Sequence, residues 1–160
     1  MEVVNIKIKF PENSNIILGQ AHFIKSVEDL HEAIVNSVPD AKFGIAFSEA
    51  SGEKLIRWSG TDEEAIKYAI SIVKDVSSGH FFAIVLKNCY PINVLNSIKN
   101  VPEVCNIFCA TSNPVEVVVA RGDGKNGVLG VIDGESPSGV EGEKDIEKRK
   151  RFLRDIGYKL

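Results

Sequence analysis

Apolar and polar side chains alternate from Val4 to Phe10, with Val4, Ile6, Ile8 and Phe10 set against Asn5, Lys7 and Lys9. That period of two predicts a half-buried strand, which Pro11 ends. A second strand is predicted over Ile16 to Phe23. Ser26 then precedes an acidic turn at Glu28 and Asp29, with Leu30, Ala33, Ile34 and Val38 on one face. The spacing predicts a helix with Ser26 as its N-cap and Pro39 as its stop. Lys42 to Glu49 sets Phe43, Ile45 and Phe47 on one face against Gly44, Ala46 and Ser48, so the small side of this strand can lie close to a helix or ligand. Ser51-Gly52 turns the chain and Leu55 to Trp58 returns it. Thr61 and Glu64 form a capping box for a helix through Ala65, Ile66, Ala69, Ile70, Val73 and Val76.

Phe81 to Leu86 is apolar throughout, which predicts a central strand covered on both faces. Pro91 opens a short helix carrying Val94, Leu95 and Ile98. Strands follow at Val104 to Thr111 and, beyond Pro114, at Val115 to Ala120. Arg121 to Asn126 is a hairpin turn into a strand over Gly127 to Asp133, and a last helix spans Glu143 to Ile156. Strands alternate with helices early and pair in a hairpin late. The expected architecture is a mixed β-sheet flanked by helices, an α/β fold of α+β character forming one compact domain over residues 1–160. Gly134 to Gly142 is rich in Gly, Ser and Pro, and is long enough to suggest a functional loop.

Composition narrows the classes. A chain of 160 residues with 44% hydrophobic and 26% charged residues is ordinary for a folded globular domain. A net charge of -3 argues against a protein that binds by neutralising nucleic-acid phosphates. Lys148 to Arg151 is a basic run, but Glu143, Asp145, Glu147 and Asp155 interleave with it as on a solvated helix. No apolar run spans a bilayer and Met1 to Phe10 lacks a signal-peptide core, so a cytoplasmic protein without a membrane partner is expected. Cys105 and Cys109 lie four apart in a strand, about 13 Å between Cα atoms, too far for a disulfide. Reduced, mostly buried thiols are expected for them and for Cys89.

The chemistry-bearing residues gather at strand ends, where sheet proteins place ligands. These places are Ser48, Glu49, Ser51 and Gly52; Gly79 and His80; Asn88, Tyr90 and Asn93; Thr111, Ser112 and Asn113; and Asp133 through Glu141. Taken singly, each has a plain reading as a turn, a cap or a strand exit. Together they supply the amides and hydroxyls that read a ribose and a base edge. Gly124-Lys125-Asn126-Gly127 lacks the spacing of a phosphate loop and reads as a turn. Of the three histidines, His31 falls on the outer side of the first helix. His80 stands at the entrance to the buried strand, where an imidazole can carry a phosphoryl group if a carboxylate or carbonyl fixes its tautomer. Glu49 is its expected orienting or proton-accepting partner, and His22 is the alternative carrier. The His and Cys spacing fits no structural zinc, while Asp133, Glu135 and Glu141 leave open a magnesium ion bridging to a nucleotide phosphate.

Five runs carry a resemblance. Gly44 to Gly52, Gly79-His80-Phe81-Phe82, Asn88-Cys89-Tyr90-Pro91-Ile92-Asn93-Val94-Leu95-Asn96, Cys109 to Pro114 and Gly130 to Gly134 resemble the adenosine-specific kinase family, and the likeness extends from the first strand to Gly157-Tyr158-Lys159. Ser112 stands where the family pattern suggests a residue such as Ala. The resemblance implies adenosine or AMP as ligand and a phosphorylated histidine, with that role carried onto His80 or onto His22 in Gln20-Ala21-His22-Phe23. The reading that follows is an adenosine- or AMP-binding phosphotransferase. His80 and Glu49 are its catalytic residues, and Ser48, Ser51, Gly52, Asn88, Tyr90, Asn93, Thr111, Asn113, Asp133 and Glu141 bind the substrate beneath the Gly134 to Gly142 loop. All are expected at a common edge of the sheet. The alternative is a non-catalytic adenosine or AMP sensor using the same pocket. No protein-held cofactor is expected beyond magnesium arriving with a nucleotide donor. A homo-oligomer is expected on general grounds, with Trp58 and Tyr68 as candidate interface residues.

Overall fold

The computed structural model describes every residue from Met1 to Leu160. In chain order the elements are β1 (Glu2–Lys7), β2 (Asn15–Ala21), α1 (Ser26–Ser37), β3 (Phe43–Ser48), β4 (Ile56–Gly60), α2 (Glu63–Val76), β5 (Phe81–Leu86), α3 (Pro91–Lys99), β6 (Val104–Thr111), β7 (Val115–Gly122), β8 (Lys125–Asp133) and α4 (Glu143–Asp155). The α+β class holds, in a single compact domain with four helices. The expected mixed sheet does not. The strands form a five-stranded sheet of order β4-β3-β5-β2-β6 and a three-stranded sheet of order β1-β7-β8, and every pair is antiparallel.

β5 is central and all six of its side chains are buried. Its alternate residues feed two cores, as the apolar run requires. Phe82, Ile84 and Leu86 join Ile17, Phe43, Ile45 and Phe47 beneath α1 (Leu30, Ile34) and α3 (Val94, Ile98). Phe81, Ala83 and Val85 face the other way, against α2 (Ala65, Ala69, Ile72, Val73) and against Val115, Val117 and Val119 of the smaller sheet. The large sheet is therefore the middle layer, with two helices on one side and a helix plus a second sheet on the other.

Two caps differ from expectation. Ser26 is the first residue of α1, not its N-cap, and its Oγ donates to the Phe23 carbonyl at 2.5 Å. At α2 the cap is Asp62, whose carboxylate accepts from Ala65 N at 2.9 Å. Thr61 instead donates its hydroxyl to the Ala41 carbonyl at 2.6 Å and accepts from Phe43 N. The β7–β8 turn tightens to Asp123-Gly124, both in the left-handed region (φ 50° and 71°) that a two-residue hairpin demands. Cys89 and Cys109 are buried, and burial pushes the Cys109 thiol up to about 11. Cys105, contrary to the expectation of burial, is exposed. No helix is long and apolar enough to cross a membrane.

The small side of β3 has a structural purpose. A Cβ on Gly44 would run into the backbone of Ala65 and Ile66, so α2 lies directly on this strand. Gly44→Ala is expected to cost about 3 kcal/mol, since the clash is with backbone that cannot rotate away. Gly127→Ala, where a Cβ meets open space, should stay within about 0.5 kcal/mol of wild type in urea denaturation.

Candidate functional site

Antiparallel pairing sorts the strand ends into two groups. β2 and β3 finish where β5 begins, because Gln20 pairs with Phe81 and Phe47 pairs with Phe82. His22, Ser48, Glu49, Ser51 and His80 therefore gather at one end of the large sheet. At the other end, Asn15 pairs with Leu86 and Ile16 with Thr111, which brings Asn88, Tyr90, Asn93, Thr111 and Asn113 together there. The strand-end residues thus do not share one edge, as expected; β2 separates the two groups by roughly 20 Å, at about 3.4 Å per residue.

At the first end, His22, Phe47, Glu49, Ser51 and His80 line a cavity of about 210 Å3, with Phe23 and Ile24 at its wall. The two histidines, alternatives in the sequence, are neighbours in the fold. His80 has left-handed backbone (φ 63°). Its N–H donates to the Ser48 carbonyl at 2.7 Å, its carbonyl accepts from Ala21 N at 3.0 Å, and its ring stacks on Phe47 with centroids 6.0 Å apart. Gly79 makes the approach feasible, since a Cβ there would sit 2.8 Å from that of Ala50. His22 is placed through its backbone N–H, which donates to the Glu103 carbonyl at 3.0 Å. Each imidazole is free of hydrogen bonds within the chain. His31 lies elsewhere, half-buried, with Nδ1 2.7 Å from Ser59 Oγ.

Glu49 does not meet either imidazole by a hydrogen bond. One carboxylate oxygen accepts from Leu55 N at 2.8 Å and the other from Arg57 Nε and a terminal guanidinium nitrogen at 3.1 and 2.9 Å. The Leu55 N–H first, and the Arg57 guanidinium after it, hold the carboxyl below the ordinary carboxylate value. Such a group is a poor proton acceptor and a good anchor for the Ser51 to Lys54 turn. Arg57 was not singled out in the sequence, because nothing in Leu55 to Trp58 marks an arginine paired across the turn.

At the second end, two adjoining cavities of about 690 and 620 Å3 share Asn15, Tyr90 and Ser112, and the smaller also touches Thr111, Ile156 and Tyr158. Other expected binders here are engaged structurally. Asn88 accepts from Lys42 N and donates to the Asp40 carbonyl. Asn93 accepts from Tyr90 N, and Asn113 donates to Asp133. Ser48 Oγ donates weakly to the Glu49 carbonyl, and Gly52 is a turn residue at φ 67°. Glu141 is clamped by Arg149 at 2.6 and 3.0 Å, so Asp133, Glu135 and Glu141 do not converge as magnesium ligands. The Gly134 to Gly142 loop lines none of these cavities.

A domain of this build is matched in known proteins. The sequence pattern of the family described as adenosine specific kinase fits residues 6–159. The chain belongs to that family. It is also similar to the crystal structure of PH1918 protein from Pyrococcus horikoshii OT3, with a TM-score of 0.95 and 40% identity over 99% of this chain and 98% of that one. No curated protein matches it in sequence.

The depressed carboxyl of Glu49 fixes the sign of a pH effect. Its contribution to stability is complete above the unfolded-state value near 4.5 and is lost as pH falls through the lower folded value. Glu49→Gln should therefore lower the thermal midpoint at pH 7, and the gap to wild type should close as the midpoint is followed below pH 4.5.

Proposed function

We propose that the protein binds adenosine or AMP and transfers a phosphoryl group through a phosphorylated histidine, His80, at the cavity it shares with His22. The observation that supports this is the convergence of two unpaired imidazoles in one small cavity of a chain belonging to the adenosine specific kinase family. A volume of about 210 Å3 suits a phosphoryl group and not a whole nucleoside. The sugar and base would lie across the mouth, where Phe23 and Ile24 are exposed apolar surface.

In the first step an imidazole nitrogen lone pair of His80 attacks the terminal phosphorus of a nucleoside triphosphate. The N–P bond forms, the bond to the bridging oxygen breaks, and the diphosphate leaves. In the second, the ribose 5′-hydroxyl attacks the phosphorus, the N–P bond breaks, and the hydroxyl proton passes to His22. Glu49, committed to Leu55 and Arg57, frames the cavity through the Ser51 turn. Magnesium would come in on the donor's phosphates. Self-association is part of the same proposal, with exposed Trp58 as the candidate contact; Tyr68 packs partly into the core.

The alternative is a non-catalytic adenosine or AMP sensor. It is favoured by one observation: no carboxylate or carbonyl fixes the tautomer of His80 or His22, although Glu49 lines the same cavity. Calorimetric titration with adenosine, AMP, ADP, ATP and guanosine should show binding of adenine compounds over guanosine. Incubation with a triphosphate labelled at its terminal phosphate should leave acid-labile label on His80. His80→Ala should abolish the label and lower transfer about 10³-fold or more. A wild-type chain that takes no label yet binds adenosine is the sensor, and one that binds no adenine compound removes both readings.

A further inference from the structure

α4 is an amphipathic helix that buries none of its residues. At about 100° per residue, Ile146, Phe152, Leu153 and the capping Ile156 fall within an arc of about 120°, and the opposite side carries only charged residues. The two charged residues inside the arc are engaged locally, Asp145 by Gly142 N at 2.9 Å and Arg149 by Glu141. Phe152 is nonetheless 58% exposed. A 13-residue helix is marginal in water without a surface for its apolar side, so this stripe calls for a partner. A surface of matching form lies elsewhere on the chain. Ile24, Val27, Leu55, Ile56 and Trp58 line a groove of about 550 Å3 between the start of α1 and the edge strand β4, and Trp58 is 57% exposed. Glu28 stands in this groove without an ion pair, while Arg57 there is neutralised by Glu49 and Glu53. On α4, Lys148 and Lys150 flank the apolar arc on its two sides and form no ion pair. Helix and groove are therefore complementary in charge as well as in polarity.

We propose that the apolar stripe of α4 docks in the Trp58 groove of a second copy of this chain, a helix laid in a groove. No residue of the chain's own α4 lines that groove. The end of the helix is held elsewhere: Ile156 and Tyr158 share the groove at the Asn15 end with Thr111, which closes β6. β6 and β4 are opposite edges of the large sheet, about 19 Å apart at roughly 4.8 Å per strand. The contact is head-to-tail, since each copy carries one helix and one groove on different surfaces. It extends the self-association proposed above, in which Trp58 is one surface, and does not depend on phosphoryl transfer. Ile24 lines both the groove and the histidine cavity, so the docked helix stands at the mouth of that cavity. Glu143, Glu147 and Asp155 on the charged side of α4 argue against an anionic membrane as the occupant of the stripe.

Light scattering after gel filtration of the full chain, over a series of concentrations, reads the assembly. Wild type should be an oligomer. Phe152→Asp, which spoils the stripe, and Trp58→Asp, which spoils the groove, should each raise the dissociation constant about 100-fold or more by placing a carboxylate in an apolar contact. Leu129→Asp, at an exposed position on β8 outside both surfaces, should leave it unchanged, and thermal melts report that each variant folds. Mixed together, Phe152→Asp and Trp58→Asp should form a dimer that neither forms alone, because the first keeps an intact groove and the second an intact helix. That rescue separates a helix-in-groove contact from one between like surfaces. Phe152→Asp assembling as wild type does overturns the α4 assignment; if Trp58→Asp then dissociates, self-association through Trp58 stands. Two monomeric variants that do not pair when mixed overturn the assignment as well. A monomeric wild-type chain overturns both, including one that binds vesicles of anionic phospholipid.

Discussion

The fold depends on β5 being paired on both edges by antiparallel neighbours. Its six residues are buried on both faces, so their backbone groups must be satisfied within the sheet. β3 and β2 satisfy them. Antiparallel pairing then dictates that the entrance to β5 lies beside the exits of β2 and β3. The peptide groups of His80 close that end, bonding the Ser48 carbonyl on one side and Ala21 N on the other. The meeting of His22, His80 and Glu49 is thus a consequence of strand polarity, not of proximity in sequence.

The conformation of His80 follows from the same closure. A left-handed backbone costs a residue with a Cβ about 1–2 kcal/mol, and it persists only where the surroundings over-determine it. Here they do so three ways: the two strand-end hydrogen bonds, the contact of Gly79 with Ala50, and the stack on Phe47. The ring is consequently held against a rigid core, and it lines the cavity without a hydrogen bond of its own. Across that cavity the Ser51 turn, with Gly52 and Lys54 also left-handed, is secured by the Glu49 carboxylate through Leu55 and Arg57.

Periodicity made the elements legible, since burial on one face or two leaves a repeat of two, a repeat of 3.6 or an unbroken apolar run. The run from Phe81 to Leu86 reported its two-sided burial, and the helical stripe of Ala65, Ala69 and Val73 reported α2. Periodicity carries no information on which strand pairs with which. β2 and β3 flank α1 in sequence and suggest a parallel crossover, yet β5 inserts between them and every pair is antiparallel. The same gap explains the site. Each strand has two ends, and only pairing direction decides whether Thr111 sits with His80 or with Asn15. Asn15 was illegible for another reason: a polar residue ahead of Ile16, Ile17 and Leu18 reads as a strand flank, and only packing shows it 9% exposed at the wall of a groove. Thr61 and Asp62 are both competent caps, and the nearby Ala41 carbonyl diverts the first.

The two ends of the sheet pose different physical problems. The histidine cavity is small and rimmed by exposed Phe23 and Ile24, whereas the Asn15 groove is several times larger and bordered by tyrosines. β2 runs between them, hydrogen-bonded along both edges to β5 and β6. Midway, Gly19 is pressed between the Phe82 ring and the Asn106 carbonyl, so closely that no Cβ would fit. A strand bonded on both edges and packed on both faces cannot slide without breaking ladder bonds and core contacts together. Such a strand holds the two ends at a fixed separation. The residues that line the histidine cavity and those that line the Asn15 groove are separate groups, held apart by this one strand.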